Sequence, residues 1–249
     1  MIQFIFLVFL GMTSNSLLAK NVFKTNELMV IDGIASEKIW YQLEWNPINQ
    51  PIIGPLPDAK DFSGRYKLTW DQNFIYILVE IVDDKLFDGH PIPTDFYWDD
   101  DCLEIFIDED ASGGNHQFNF NAFAYHLGLD NQVVDIGEKD RFGNVQFLVL
   151  NDHAINRWRR SRTEPSKILW EVALAVYDDQ FQSPASGKTN QPVQLKSGKE
   201  LGLMIAYCDN DGSSTRESFI GSIDIQAVNG DKNRGYIDAD VFGQIKLVE

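Results

Sequence analysis

Cationic side chains are scarce in this sequence. Lysine and arginine together number 21 against 37 aspartates and glutamates, a formal net charge of −16 over 249 residues. A surface this acidic repels polyanions, which argues against nucleic acid and anionic membranes as partners and leaves neutral ligands and cations. Cysteine is scarcer still, with only Cys102 and Cys208 present. There is therefore no Cys-x-x-Cys-His site for haem attachment. Both cysteines fall in expected strands, where buried free thiols are the simpler reading and a disulfide stays open. Internal repeats, low-complexity tracts and long helical patterns are also missing.

Charge is absent from the first 19 residues. Met1 to Leu10 is almost wholly apolar, and Thr13 to Ser16 leads to Leu17-Leu18-Ala19 and the charged Lys20. This pattern predicts a signal peptide over residues 1–19, cleaved after Ala19, and hence export to the periplasm or beyond. The apolar run is too short to span a bilayer, and no cysteine ends it to carry a lipid.

What is present is apolar and aromatic: 44% hydrophobic and 12% aromatic residues, enough for one sizeable core in a single domain over residues 20–249. Period-two segments separated by turn residues recur along the chain. Tyr66, Leu68 and Trp70 alternate with polar neighbours; Phe74 to Val82 reads as a strand buried on both faces. Arg157 to Arg162 and Ile168 to Tyr177 read as a hairpin, Leu201 to Cys208 as a further strand, and Gly243 to Val248 as the last. Asn46 to Asp61, with four prolines, and Gln182 to Gly198 read as polar insertions. The fold class is thus all-β, an antiparallel β-sandwich of jelly-roll or immunoglobulin-like type.

The most informative stretch runs from Trp98 to Asp108. Leu103, Ile105 and Ile107 share the core face of a strand, so Glu104 points to the other side with Cys102 and Phe106. His116 to Ala124 reads as a second strand, with Phe118, Phe120, Ala122 and Ala124 on one face and Gln117, Asn119 and Asn121 on the other. If these strands are neighbours, Glu104 and the three amides line one polar surface suited to sugar hydroxyls, which need partners that both donate and accept. The same pattern also describes an ordinary solvated sheet face, although asparagine is depleted in strands. Trp98, just before the strand, offers a ring for sugar C–H groups.

These residues resemble family 9 carbohydrate-binding modules, known from the ends of xylanases and as free-standing exported proteins. The match begins at Ile31-Asp32-Gly33 with Trp40 and passes through Leu68-Thr69-Trp70-Asp71, the Phe74 strand and Val82-Asp83-Asp84. It continues through Trp98 to Asp108 and Gln117 to Asn121, and closes on Phe242 to Leu247. The resemblance implies a sandwich that grips a mono-, oligo- or polysaccharide end between two aromatic rings, Trp98 and Tyr236. Glu104 and Asn233 would bond the sugar, and Asn119 stands where the family has an arginine. It also implies bound calcium. Two acidic turns, containing Asp108 with Asp110 and Asp209 with Asp211, offer oxygen ligands, though neither completes an EF-hand loop.

Two rival readings remain. A glycosidase needs two carboxylates flanking one bond, and no second acid stands out beside Glu104, so a non-catalytic monomer is expected. A haem-binding sandwich of the related cytochrome type needs axial ligands, yet His116 and His126 read as solvent-exposed, and no haem is expected. Arg157, Arg159, Arg160 and Arg162 read as an exposed strand face paired with the many carboxylates.

Overall fold

Alternation along Leu103, Ile105 and Ile107 turns all three into the layer between two β-sheets, where each is 1% exposed or less. The computed structural model describes residues 19–249; residues 1–18, which hold all but the last residue of the expected signal peptide, lie outside that range. Fourteen strands follow in chain order: β1 (Lys20–Phe23), β2 (Asn46–Ile48), β3 (Gln50–Ile53), β4 (Phe62–Trp70), β5 (Ile75–Asp83), β6 (Cys102–Asp108) and β7 (Phe123–Gly128), then β8 (Val133–Lys139), β9 (Val145–Val149), β10 (Ala154–Arg160), β11 (Lys167–Leu174), β12 (Glu200–Asp209), β13 (Ser218–Gly221) and β14 (Gly243–Val248).

One sheet runs β1-β14-β12-β6-β7-β8-β9, with β13 and β3 added along the free part of β12; the other runs β10-β11-β5-β4-β2. This is the expected sandwich. Pairing is antiparallel except between β1 and β14, which are parallel. Between the sheets, Ile105, Tyr125, Leu203 and Ile205 meet Leu68, Ile77, Val79, Trp170 and Val172 in one continuous apolar cluster.

Both sheets also carry apolar residues on their outer faces, and each is covered. Tyr76, Leu78 and Ala173 pack under Trp40 of a short helix, α1 (Lys38–Gln42). Cys102, Phe106, Met204, Ala206 and Cys208 pack under Ile225, Ala239 and Phe242, from the segment leading into β14. As a result every residue of β6 is buried.

Three expectations are corrected here. His116 to Asn121 is turn structure and not strand, and β7 begins only at Phe123. The amides that suggested a polar face close the turn instead: Asn119 Oδ1 accepts from Asn121 N at 2.9 Å, and Asn121 Nδ2 donates to Gly113 O at 2.8 Å. Asparagine competes with strand pairing through just such local bonds. The Asn46–Asp61 stretch contains β2 and β3, each at a sheet margin, where Pro47 and Pro51 need not donate to an inner neighbour. His116 and His126, expected to be exposed, are 4% and 6% exposed.

The two cysteines sit opposite each other on neighbouring strands, both buried and free. Among the described residues no helix is long and apolar enough to cross a membrane.

Ile105→Ala removes a fully buried side chain from the inter-sheet layer and is expected to cost about 2–5 kcal/mol. Asn119→Ala gives up only turn bonds and is expected to cost about 1 kcal/mol or less. Denaturant titration of both variants checks the assignment, and equal large losses would overturn it.

Candidate functional site

Because β6 and β7 are neighbours, Glu104 stands opposite His126 across the strand pair. His126 Nε2 lies 3.0 Å from Glu104 Oε1. Arg216 Nη1, from the loop between β12 and β13, lies 3.2 Å from the same oxygen, and Cys208 Sγ donates to it at 2.9 Å. Arg216 Nη1 also reaches Cys208 Sγ at 3.0 Å. Burial is the largest influence on the Glu104 carboxyl and pushes its pKa up. The charge and hydrogen bond of His126, then the charge of Arg216 and the hydrogen bond from Cys208, outweigh it and leave the group below the usual carboxylate range. All three partners converge on Oε1, and Oε2 has none among the described residues. The second ring nitrogen of His126 faces Ala124 O at 3.1 Å, which fixes the ring in its plane.

Above this floor lies a cavity of about 330 Å³. Its walls bring together Trp98, Gln117, Asn233 and Tyr236 with Glu104. Five of the seven sugar-site residues expected from the sequence therefore share one cavity. Asn119 and Asn121 line no part of it and are held in the turn described above. The remaining walls come from Phe106 and His126, from Phe118, which was expected on an apolar strand face with Phe120, and from residues that sequence reasoning passed over: Tyr97, Ile136, Val145, Phe147 and Arg216.

Each has a local cause. Phe118 sits at φ +65° in the turn after Gly113-Gly114, and Lys139 Nζ lies 4.1 Å from its ring centre. Ile136, Val145 and Phe147 belong to the β8–β9 hairpin, whose turn is closed by Asp140: its carboxylate accepts from Phe142 N and Asn144 N, with Gly143 at φ +87°. The Asp140-Arg141-Phe142-Gly143 run is a turn signal that would have located this hairpin. Phe147 packs against both Trp98 and Tyr97, with ring centres 5.8 and 5.7 Å apart. The Tyr97 hydroxyl is buried without a hydrogen-bond partner among the described residues.

The loop that presents Asn233 and Tyr236 is fixed from below. His116 Nε2 bonds Gly235 O at 2.7 Å, and His116 N donates to Ile237 O. Residue 235 must be glycine for this approach, since a Cβ there would lie 2.8 Å from the Phe106 ring and 2.9 Å from Met204 Cε.

The acidic residues fall into separate groups. Asp83, Asp101 and Asp209, all buried, place carboxylate oxygens within 4.8 Å of one another. Asp61, Asp84 and Asp211 form a second, more exposed group. Asp108 and Asp110 join neither; their carboxylates accept from Gly113 N and Ser112 N and shape the turn after β6. In the buried group, Asp83 accepts from Tyr207 Oη, and Asp101 from Phe87 N and Asn210 N. No such bond reaches the Asp209 carboxylate among the described residues. Burial, then the charge of Asp83, pushes Asp101 up to about 9; burial, then Asp83, Asp61 and Asp211, pushes Asp209 up to about 7.

Comparison with known proteins shows the family and the fold. The family described as "Carbohydrate family 9 binding domain-like" matches residues 31–249. Over 144 residues the chain is 24% identical to endo-1,4-β-xylanase A of Thermotoga maritima, an alignment covering 56% of this chain and 13% of that protein. The chain thus spans only a small part of its curated relative. A family 9 carbohydrate-binding module of Caldicellulosiruptor kristjanssonii, solved with cellotriose, has a TM-score of 0.64 at 20% identity, covering 92% of this chain and 94% of that one. A family 9 carbohydrate-binding module of the same organism, solved with glucose, has a TM-score of 0.63 at 19% identity, covering 92% of this chain and 95% of that one. At these identities the likeness is one of fold.

A buried carboxyl whose folded pKa is raised holds its proton longer in the folded than in the unfolded chain. Stability due to Asp209 is therefore greatest below the ordinary carboxylate pKa and is lost as pH rises toward about 7. In chelator, Asp209→Asn is expected to gain thermal stability relative to the parent as pH rises from about 4 to about 8. A constant difference across that range would contradict the electrostatic account.

Proposed function

Because the chain belongs to the carbohydrate family 9 binding domain-like family, we propose that it is a non-catalytic protein that binds a neutral sugar in the Glu104 cavity. One observation carries this reading: Glu104 Oε1 meets three partners while Oε2 has none among the described residues, in a cavity walled by aromatic rings. Oε2 is then an acceptor for a sugar hydroxyl, and Gln117 and Asn233 supply both donors and acceptors. Trp98, Tyr236 and Phe147 offer apolar faces for the C–H patches of a pyranose.

A cavity of about 330 Å³ lies at the small end of ligand sites, which favours one or two rings, such as a glycan end, over a long stretch of polymer. The cellotriose and glucose held by the structural neighbours, and the xylanase to which the chain is related, favour glycans of the cellulose and xylan kind. Catalysis is disfavoured because Glu104 is the only carboxylate lining the cavity among the described residues, whereas glycoside hydrolysis needs a pair. The reading extends to an exported monomer beginning near Lys20 that assists polysaccharide catabolism. The family's calcium fits best at Asp83, Asp101 and Asp209, whose hard carboxylate oxygens lie within 4.8 Å of one another.

Calorimetry with glucose, cellobiose and xylobiose tests the site. Trp98→Ala is expected to weaken binding by about 2 kcal/mol or more, as loss of an aromatic anchor does, and Tyr236→Ala by less. Both variants should melt near the parent temperature. Unchanged affinity in the Trp98 variant would reject the cavity as the sugar site. Calcium is expected to raise the melting temperature of the parent at pH 8, and to do so less for Asp209→Asn.

A further inference from the structure

The four arginines at 157, 159, 160 and 162 are exposed, but they do not pair with carboxylates. None of them forms an ion pair among the described residues, in a chain of net charge −16. Three are held by backbone carbonyls instead: Arg157 Nη1 donates to Asn156 O at 2.6 Å, Arg159 Nε to Asp32 O at 2.6 Å, and Arg160 Nη1 to Pro165 O at 2.6 Å. The acids of the neighbouring strands and loops are engaged elsewhere, apart from Glu171 Oε1, which is buried without a partner among the described residues. Glu80 binds Arg65, Glu164 binds Lys167, Glu171 accepts from Asp32 N and Gly33 N, and Asp32 Oδ1 accepts from Ile34 N.

The chain is shaped to keep Arg159 in place. Gly33 has φ +78°, and a Cβ there would lie 2.8 Å from Arg159 Cγ and 3.0 Å from its backbone nitrogen. A groove of about 420 Å³ follows, lined by Arg159, Arg160, Ser161 and Arg162 with Gly33 and Ile34. It lies at β10, the free edge of the second sheet, whereas the sugar cavity is built on the first.

We propose that this groove is a second binding site, one that takes the carboxylate groups of an acidic polysaccharide. Guanidinium groups with one N–H tied to the backbone keep further donors in a fixed fork, the geometry that matches a carboxylate. The remaining charge of the chain selects among anions. Duplex DNA carries one charge per about 1.7 Å, and the acidic body of the protein repels so dense a polyanion along its whole length. A glycan with scattered uronate groups brings a carboxylate to the groove while its neutral stretches meet the acidic surface at little cost. The choice of a glycan as the carrier of the anion rests on the sugar-binding reading of the Glu104 cavity; the anion site itself does not.

The test uses the mature chain, with Trp98→Ala as background so that the neutral-sugar cavity is disabled. The probes are a xylan bearing glucuronate side groups, the same xylan after reduction of its carboxyl groups, an oligonucleotide duplex, and vesicles rich in phosphatidylserine. The Trp98→Ala protein is expected to bind glucuronoxylan, with affinity falling as salt is raised. Reduction of the carboxyls should abolish that binding. Adding R159Q, R160Q and R162Q should weaken it about tenfold or more, since three charge partners of the carboxylate are lost together. In the Trp98 parent the same three substitutions should leave glucose binding unchanged. Equal binding of the reduced xylan, an unaffected triple variant, or tighter binding of the duplex or the vesicles would each overturn the proposal. Loss of glucose binding at Trp98 without loss of glucuronoxylan binding would separate the two sites.

Discussion

The Glu104 carboxylate is 2% exposed in a strand buried on both faces, and much of the surrounding architecture answers that constraint. An unpaired charge in such a place costs several kcal/mol. His126 and Arg216 supply the compensating donors and Cys208 a third, from three separate elements. Strand order makes this arrangement available: β6 lies between β12 and β7, so one flank brings Cys208 and the other His126. The pairing leaves Oε2 without a partner among the described residues, so the same compensation that makes the buried charge tolerable also leaves one acceptor on a residue that lines the cavity.

A second layer depends on the first. Phe106 and Met204 lie on the outer face beside Glu104 and need cover, and the segment leading into β14 provides it. Gly235 permits the close approach, and His116 anchors the loop through Gly235 O and Ile237 O. Burial is the largest influence on His116 and lowers its pKa, keeping the ring neutral in a role that is structural. Asn233 and Tyr236 reach the cavity because that loop is held down. The ring wall opposite comes from the β8–β9 hairpin, so floor, roof and wall are drawn from separate stretches of sequence.

Much of this was legible in the residues. The inward set Leu103, Ile105 and Ile107 fixed the side on which Glu104 would stand, and Gly243 to Val248 has the bounds of β14. Gln117 and Trp98 do reach the cavity. Asn119 and Asn121 were misplaced because asparagine-rich alternation imitates a strand until the local side-chain bonds are counted. Arg216 escaped notice and His126 was read as exposed because the partner they share, Glu104, lies 112 and 22 residues away in sequence. No period or local motif encodes such a contact; only the strand order does. The β1–β14 pairing was hidden for the same reason, since it joins the two ends of the described chain.

The central claim is that a neutral sugar ring occupies the Glu104 cavity and takes its hydroxyl contacts from the free side of that carboxylate. A crystal structure of the protein grown with cellobiose tests it most directly. The account predicts a pyranose in the cavity with its C–H face on Trp98 and a hydroxyl within hydrogen-bond distance of Glu104 Oε2. A well-ordered sugar bound elsewhere, or a Glu104 that makes no contact with the ligand, would contradict it.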